Sequence, residues 1–190
     1  MKLKPEIVDT ILVAAESLFN EYGYHPVSLE LVAENAGVSK RTLYKYFGDK
    51  NGLVSKVLLK RNDFLKKSLT DVIAVFSEKK DKINAIISWH IKWFKNDNYR
   101  GCMFVRAKSE YNNKSEEICA IVSEHKKWIQ DRIFECLGGT KSCEQASCLI
   151  MLILEGMISF ISVFGIEGYD FEQAKMYIYD IVDNIGEDNL

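Results

Sequence analysis

Apolar residues recur every three or four positions along most of this chain, the period of a helix with one buried face, and no useful stretch alternates in the manner of a strand. The first stripe, Ile7, Ile11, Ala14, Leu18 and Tyr22, begins beside Pro5, which suits a first helical turn, and stops at Gly23. A short second helix is predicted from a Ser28 cap through Leu31, Val32 and Ala36 to Gly37. A third runs from a Ser39 cap to Phe47 and Gly48. Asp49 caps a fourth, over residues 49–76, with the stripe Leu53, Val57, Phe64, Leu65, Leu69, Val72 and Phe76. Five more are expected near 81–96, 102–111, 115–137, 142–164 and 170–185. The last two open on the capping-box patterns Ser142-x-x-Gln145 and Asp170-x-x-Gln173. The pattern predicts an all-α chain of about nine helices, with a small head of about residues 1–50 joined through the fourth helix to a larger part, 51–190.

Composition agrees with that pattern. The chain has 190 residues, 47% of them hydrophobic, enough to bury a substantial core, and only Pro5 and Pro26 interrupt it. Charge adds something the pattern does not show. The net value of -2 hides a basic stretch at 39–67, where nine Lys and Arg meet only Asp49 and Asp63. Residues 1–38 sum to -4, and 68–190 carry 14 basic and 19 acidic groups. A local basic patch on a neutral chain suits a polyanionic partner, although a solvated helix face gives the same count.

Other classes find little support. The N-terminal residues MKLKPEIVDT lack an apolar leader, and the longest apolar stretch, 148–154, is interrupted by Glu155, so a cytoplasmic location with no membrane partner is expected. The five cysteines, at 102, 119, 136, 143 and 148, form no CxxC pair and are odd in number, which disfavours a disulfide framework or structural zinc. No nucleophile elbow, HExxH, Gly-rich phosphate loop or metal-spaced His and Cys cluster occurs, so neither an enzyme nor a cofactor or metal is expected.

The string SLELVAENAGVSKRTLYKYF has the spacing of a helix-turn-helix, with Gly37 in the turn. On its second helix Leu43 and Phe47 lie within about 40° of each other and anchor it, leaving Arg41, Thr42, Tyr44 and Lys45 around the remaining circumference. Lys40 sits in the first turn, where such helices approach base edges. Arg41 has the fork for a guanine edge, and Lys40, Lys45 and Lys50 can neutralise phosphates. Tyr44 and Tyr46 either bond phosphate or pack in the head, and Ser28 and Ser39 either cap their helices or add a hydroxyl to a phosphate.

Residues 11–58, above all GVSKRTLYKYF followed by Lys50 and Leu53, resemble the TetR family of one-component regulators. The resemblance implies a three-helix DNA-binding head, a helical ligand-binding and dimerisation domain, and homodimers that repress until a small molecule releases them. By position, the family's DNA contacts fall on Ser28, Ser39, Lys40, Arg41, Thr42, Tyr44, Lys45, Tyr46 and Lys50. Glu30 departs from the pattern, being acidic where relatives often carry a neutral or basic residue, and is left out of that set. The segment YRGCMFVRAKSEY resembles one subgroup of the family, whose ligands are diverse.

The second half is rich in large, soft side chains. Trp89, His90, Trp93, Phe94, Met103, Phe104, Tyr111, His125, Trp128, Met157 and Phe160 are candidate lining for a hydrophobic or aromatic effector, each also suited to ordinary core packing. The helix at 142–164 is more apolar than a monomer's surface helix should be. With the stripe Phe171, Ala174, Tyr177, Ile178 and Ile181 of the last helix, it can form a four-helix interface between two copies. Two reading helices on a dimer call for an inverted-repeat operator in double-stranded DNA. The alternative is a thiol-based redox sensor on the same scaffold, with Cys102, Cys143 and Cys148 as candidate thiols.

Overall fold

The computed structural model describes residues 5–112 and 114–185, so residues 1–4 of the leader reading lie outside the described residues. Among the described residues there are nine helices and no strand. In order they are α1 (Pro5–Tyr22), α2 (Leu29–Asn35), α3 (Lys40–Phe47), α4 (Lys50–Ile73), α5 (Lys79–Phe94), α6 (Met103–Tyr111), α7 (Glu116–Leu137), α8 (Ser142–Phe164) and α9 (Phe171–Asp183).

Four of the nine helix starts are set by side chains that the sequence singles out. Ser28 Oγ accepts from the Leu31 amide and Ser39 Oγ from the Thr42 amide, both at 3.1 Å. Asp49 accepts from Gly52 at 2.8 Å, and Asp170 from Glu172 and Gln173 at 3.0 and 3.1 Å. The box expected at Ser142 does not form. Lys141 takes the cap position in a helical conformation without a side-chain cap bond, making Ser142 the first helical residue. α4 also ends earlier than the stripe suggests, at Ile73, because Val75 and Phe76 find no cover and are 74% and 41% exposed.

The chain folds as two compact units. The first consists of Met1–Phe64 and Cys102–His125, hence α1 to α3, the first part of α4, α6 and the start of α7. Its core contains Ile11, Ala15, Phe19, Val32, Leu43, Leu53, Val54, Leu58 and Phe104. Two expected core residues are displaced from it. Tyr22 is 61% exposed, and its place is taken by Tyr24, which is fully buried and donates from its hydroxyl to the Met103 carbonyl at 3.0 Å. Phe64 is 69% exposed because the buried face of α4 turns as the helix advances. Leu53, Val57 and Phe64 share one side, but beyond Leu58 the buried positions are Asn62, Leu69 and Ile73, roughly 140–180° away around the helix.

Gly52 marks a close approach, since a Cβ there would overlap the Phe47 carbonyl at the α3–α4 corner. In the same unit, acids on α1 face bases on α4: Glu16 pairs with Arg61 at 2.6 Å and Asp9 with Lys60.

The second unit, Leu65–Gly101 and Lys126–Leu190, packs α5 against α8 and α9. Ile83, Ile86, Ile87, Phe94, Ile133, Ile150, Leu154 and Ile178 are buried in it. Glu155 does not end α8, which continues to Phe164. Its carboxylate accepts from Lys126 Nζ at 2.6 Å, so the acid in the apolar run has a partner on α7. By length and composition α8 is able to cross a bilayer, a test that the core helix of a globular unit also passes, and about a third of the tested window is buried within the chain.

Candidate nucleic-acid interface

α3 is only eight residues long, and its placement rests on two anchors. Leu43 is 0% and Phe47 9% exposed, so both are inserted in the head as their spacing predicts. Anchored in this way, the helix presents Lys40, Arg41, Tyr44 and Lys45 to solvent, while Thr42 and Tyr46 are half-buried. Ser28 and Ser39 are exposed at the starts of α2 and α3. Both serve as caps. Ser39 Oγ also shares a 2.8 Å hydrogen bond with Thr42 Oγ1.

The nine predicted contacts differ in what already holds them. Lys40 is ion-paired with Glu30 of α2, and its ammonium lies 5.7 Å from the Tyr44 ring centre. The hydrogen bond from Lys40 holds the Glu30 carboxyl below its usual range and pushes the Lys40 ammonium above its own. Lys45 lies 5.8 Å from the Tyr46 ring centre. Lys50 is half-buried, donates to the His25 carbonyl at 3.0 Å and has its pKa lowered by burial. Among the described residues no ion pair engages Arg41 or Lys45.

The basic stretch at 39–67 is therefore less available than its count suggests. Lys40, Lys60, Arg61 and Lys67 are each paired with an acid, three of these acids coming from residues 1–38.

Sequence reasoning missed a second set of residues beside this face. Glu110 on α6 accepts from the Tyr24 and His25 amides at 3.1 and 2.6 Å, and Arg106 donates to the Asn20 carbonyl at 2.9 Å. The carbonyl of His25 is the one that holds Lys50. α6 thus fixes the turn between α1 and α2 through that turn's backbone. An α1–α2 turn with unassigned backbone amides was visible in the sequence, but nothing there says that a carboxylate 85 residues away satisfies them.

The effector candidates fall into two groups. Met103, Phe104, Tyr111 and His125 are buried in the first unit, with the Phe104 and His125 rings stacked at 3.6 Å and His125 Nδ1 2.8 Å from Asn62 Oδ1. Trp89, His90, Trp93, Phe94, Trp128, Met157 and Phe160 belong to the second. There the rings of Trp89, His90, Trp93 and Phe94 touch in series and continue to Tyr99 and Phe171. Trp89 donates to Ser68 Oγ at 2.9 Å, and Trp128 lies between Lys66 and Arg132, each 5.4 Å from its ring. His90 is buried with Nδ1 2.8 Å from the Ile86 carbonyl, and burial pushes its pKa down to about 4. Phe160 is 46% exposed on an open α8–α9 groove of about 1350 Å³ that also includes Leu149, Ile153, Phe164, Tyr169 and Tyr177.

All five cysteines are free thiols. Cys136 and Cys143 are buried, with the Cys136 thiol pushed up by burial and Cys143 Sγ donating to the Leu137 carbonyl. Among the described residues no group of His, Cys, Asp and Glu has the arrangement of a metal site.

Residues 11–57 match the family model for bacterial regulatory proteins of the tetR family. The HTH-type transcriptional activator FasR of Mycolicibacterium smegmatis is 27% identical over 88 residues, 46% of this chain and 40% of that protein. The HTH-type transcriptional regulator BetI of Vibrio campbellii is 32% identical over 99 residues, 50% of this chain and 49% of that protein. The chain thus spans about half or less of these curated relatives. The crystal structure of a TetR-family transcriptional regulator from Streptomyces coelicolor superposes with a TM-score of 0.85 at 19% identity, covering 97% of this chain and 92% of that one.

Proposed function

This chain belongs to the TetR family, and on that premise we propose that it is a transcriptional regulator, not an enzyme, that binds an inverted-repeat operator as a homodimer and represses until a small effector releases it. The observation that carries the reading is α3 itself. Two buried anchors hold a short helix that offers Arg41, Tyr44 and Lys45 outward above a hydroxyl-capped N-terminus. That surface combines a guanidinium fork for base edges, cations for phosphate and free helix amides. The functional division we propose is a DNA-binding head at 1–50 and a ligand-binding and dimerisation part at 51–190. The head is proposed to contact DNA through the nine predicted residues, with Arg41, Lys45 and Tyr44 contributing most.

The homodimer is proposed to form through α8 and α9. Support comes from the exposed face of α8, where Leu149, Leu152, Phe160, Val163 and Phe164 are 41–70% exposed, with Tyr177 of α9 beside the same groove. Apolar area of that kind favours a second apolar surface over water. For the effector, the ring series Trp89, His90, Trp93 and Phe94 supports a hydrophobic or aromatic ligand. A buried imidazole that stays neutral adds a hydrogen-bonding group without a charge. Release requires that the ligand bind one conformer better than the other. The redox alternative is not favoured, since of its candidate thiols Cys143 is buried while Cys148 is exposed on the other side of the same helix, so the two do not face each other. We place the protein in the cytoplasm, where its DNA partner is.

The test is selection of duplexes from a random pool by the wild-type protein, followed by affinity measurements with Arg41→Ala and Lys45→Ala. Loss of a bidentate arginine contact is worth about 1–3 kcal/mol, so Arg41→Ala should weaken binding to the selected duplex by about tenfold or more. Lys45→Ala should weaken binding to all duplexes alike. No enrichment, or unchanged binding by both variants, overturns the reading. Transcription from a promoter carrying the selected site should rise when the gene is removed, and a fall would make the protein an activator.

A further inference from the structure

The sequence leaves Glu30 outside the contact set because it is acidic, but the structure puts it among those contacts. The Glu30 carboxylate holds one of the nine predicted DNA contacts, the Lys40 ammonium from the first turn of α3. Both groups are exposed, with the Glu30 and Lys40 side chains 58% and 50% accessible. An ion pair this open contributes little to folding. Its effect falls on whatever docks there.

Phosphate backbones attract any head that offers unpaired cations, whatever the sequence. A cation already neutralised releases no counterion on docking, and a carboxylate beside it is repelled by every phosphate that approaches. Base edges behave differently, because the amino group of cytosine in the major groove donates to a carboxylate. A head carrying such a pair is penalised on backbone alone and relieved where an amino donor faces it. Discrimination of this kind works by weakening the wrong complex.

We propose that Glu30 is a specificity-determining residue of the DNA face: acting through Lys40, it withholds that cation from the phosphate backbone, and it accepts from a cytosine amino group in the preferred sequence. The proposal rests on the DNA-binding reading above and concerns only the partner chosen at that face.

Its test compares wild type, Glu30→Gln, Lys40→Met and the double variant on two probes, the unselected random duplex pool and the duplex that wild type enriches from it. Affinity is measured across a salt series, with helicity and thermal midpoint checked for each variant. Glu30→Gln should bind the unselected pool about fivefold tighter per docked head near 0.15 M salt, with a salt slope steeper by about one per head, as for one added phosphate contact. It should gain under about twofold on the enriched duplex, so the ratio of the two affinities falls. The slope change should vanish when Lys40 is Met, since the freed cation is then absent. Sequences enriched by Glu30→Gln should lose a cytosine preference at one position per half-site.

An unchanged slope and affinity ratio in a folded Glu30→Gln protein overturns the proposal and leaves DNA binding standing. Weaker binding to both probes also overturns it and reduces Glu30 to support for the start of α2. A slope change that persists in the Lys40→Met background overturns the action through Lys40. A wild-type protein that enriches nothing overturns the DNA reading and this inference with it.

Discussion

Two faces of this chain are left uncovered, and they are uncovered in opposite ways. α3 exposes Lys40, Arg41, Lys45 and one tyrosine, Tyr44, on a helix whose apolar residues, Leu43 and Phe47, are inside. α8 buries Ala146, Ile150, Leu154 and Ile161 on one side and still exposes Leu152, Val163 and Phe164 at 62–70% on the other. The first face is stable in water and gains from a polyanion. The second is costly in water and gains from another apolar surface. The kind of surface each face favours follows from its solvation.

The comparison breaks most sharply if the apolar face is not an interface. Leu152→Glu with Phe164→Glu adds charges at positions open to solvent in one copy, so each protomer should fold as before. In the proposed dimer those charges are buried unpaired, at a cost of about 3–5 kcal/mol, and the dissociation constant should rise by roughly a hundredfold to a thousandfold. Sedimentation at micromolar protein checks this. An unchanged assembly state would mean that α8 is covered in some other way, and binding to a two-half-site duplex should fall with the dimer if it is not.

The second unit carries a buried histidine that makes its stability depend on acid. His90 has a folded pKa of about 4 against an ordinary 6.5, the result of burial opposed only partly by its bond to the Ile86 carbonyl. Below pH 6.5 the unfolded chain takes up a proton that the folded one does not, so this contribution is fully present above pH 6.5 and is lost as pH falls toward 4. The difference of about 2.5 units corresponds to about 3 kcal/mol. In urea unfolding at pH 7 and pH 4, His90→Gln should lose about that much less than wild type on acidification. An equal loss in both would show that His90 is hydrated or otherwise paired.

The sequence was most informative where neighbours in the chain are neighbours in space. The ends of α1 to α3, the Ser28, Ser39, Asp49 and Asp170 caps and the Leu43 and Phe47 anchors depend on residues within one or two helical turns, and each was legible. The Ser142 box was not, because a capping pattern does not say whether the preceding residue leaves the helical conformation, and Lys141 does not. Phe64 was misread because a single stripe was extended along a helix whose buried face turns. The Glu110 and Arg106 bonds to the α1–α2 turn join residues 85 and 86 apart, and no local pattern encodes them. Charge counting also overstated the basic patch, since Asp9, Glu16 and Glu30 fold back onto it.

The smallest effect is the one that sharpens the polar face most. Ser39 Oγ accepts from the Thr42 amide and shares a hydrogen bond with the Thr42 hydroxyl, so capping and phosphate binding compete as explanations for the same atom. Ser39→Ala removes both and should cost about 1 kcal/mol of stability. Ser39→Asp separates them. An aspartate caps as well as serine and suits the positive end of α3, so stability should return to near the wild-type value. Its charge repels phosphate, so DNA affinity should fall below that of Ser39→Ala. If Ser39→Asp restores both stability and DNA binding, Ser39 is a cap only, and the polar face is one contact smaller than its spacing implies.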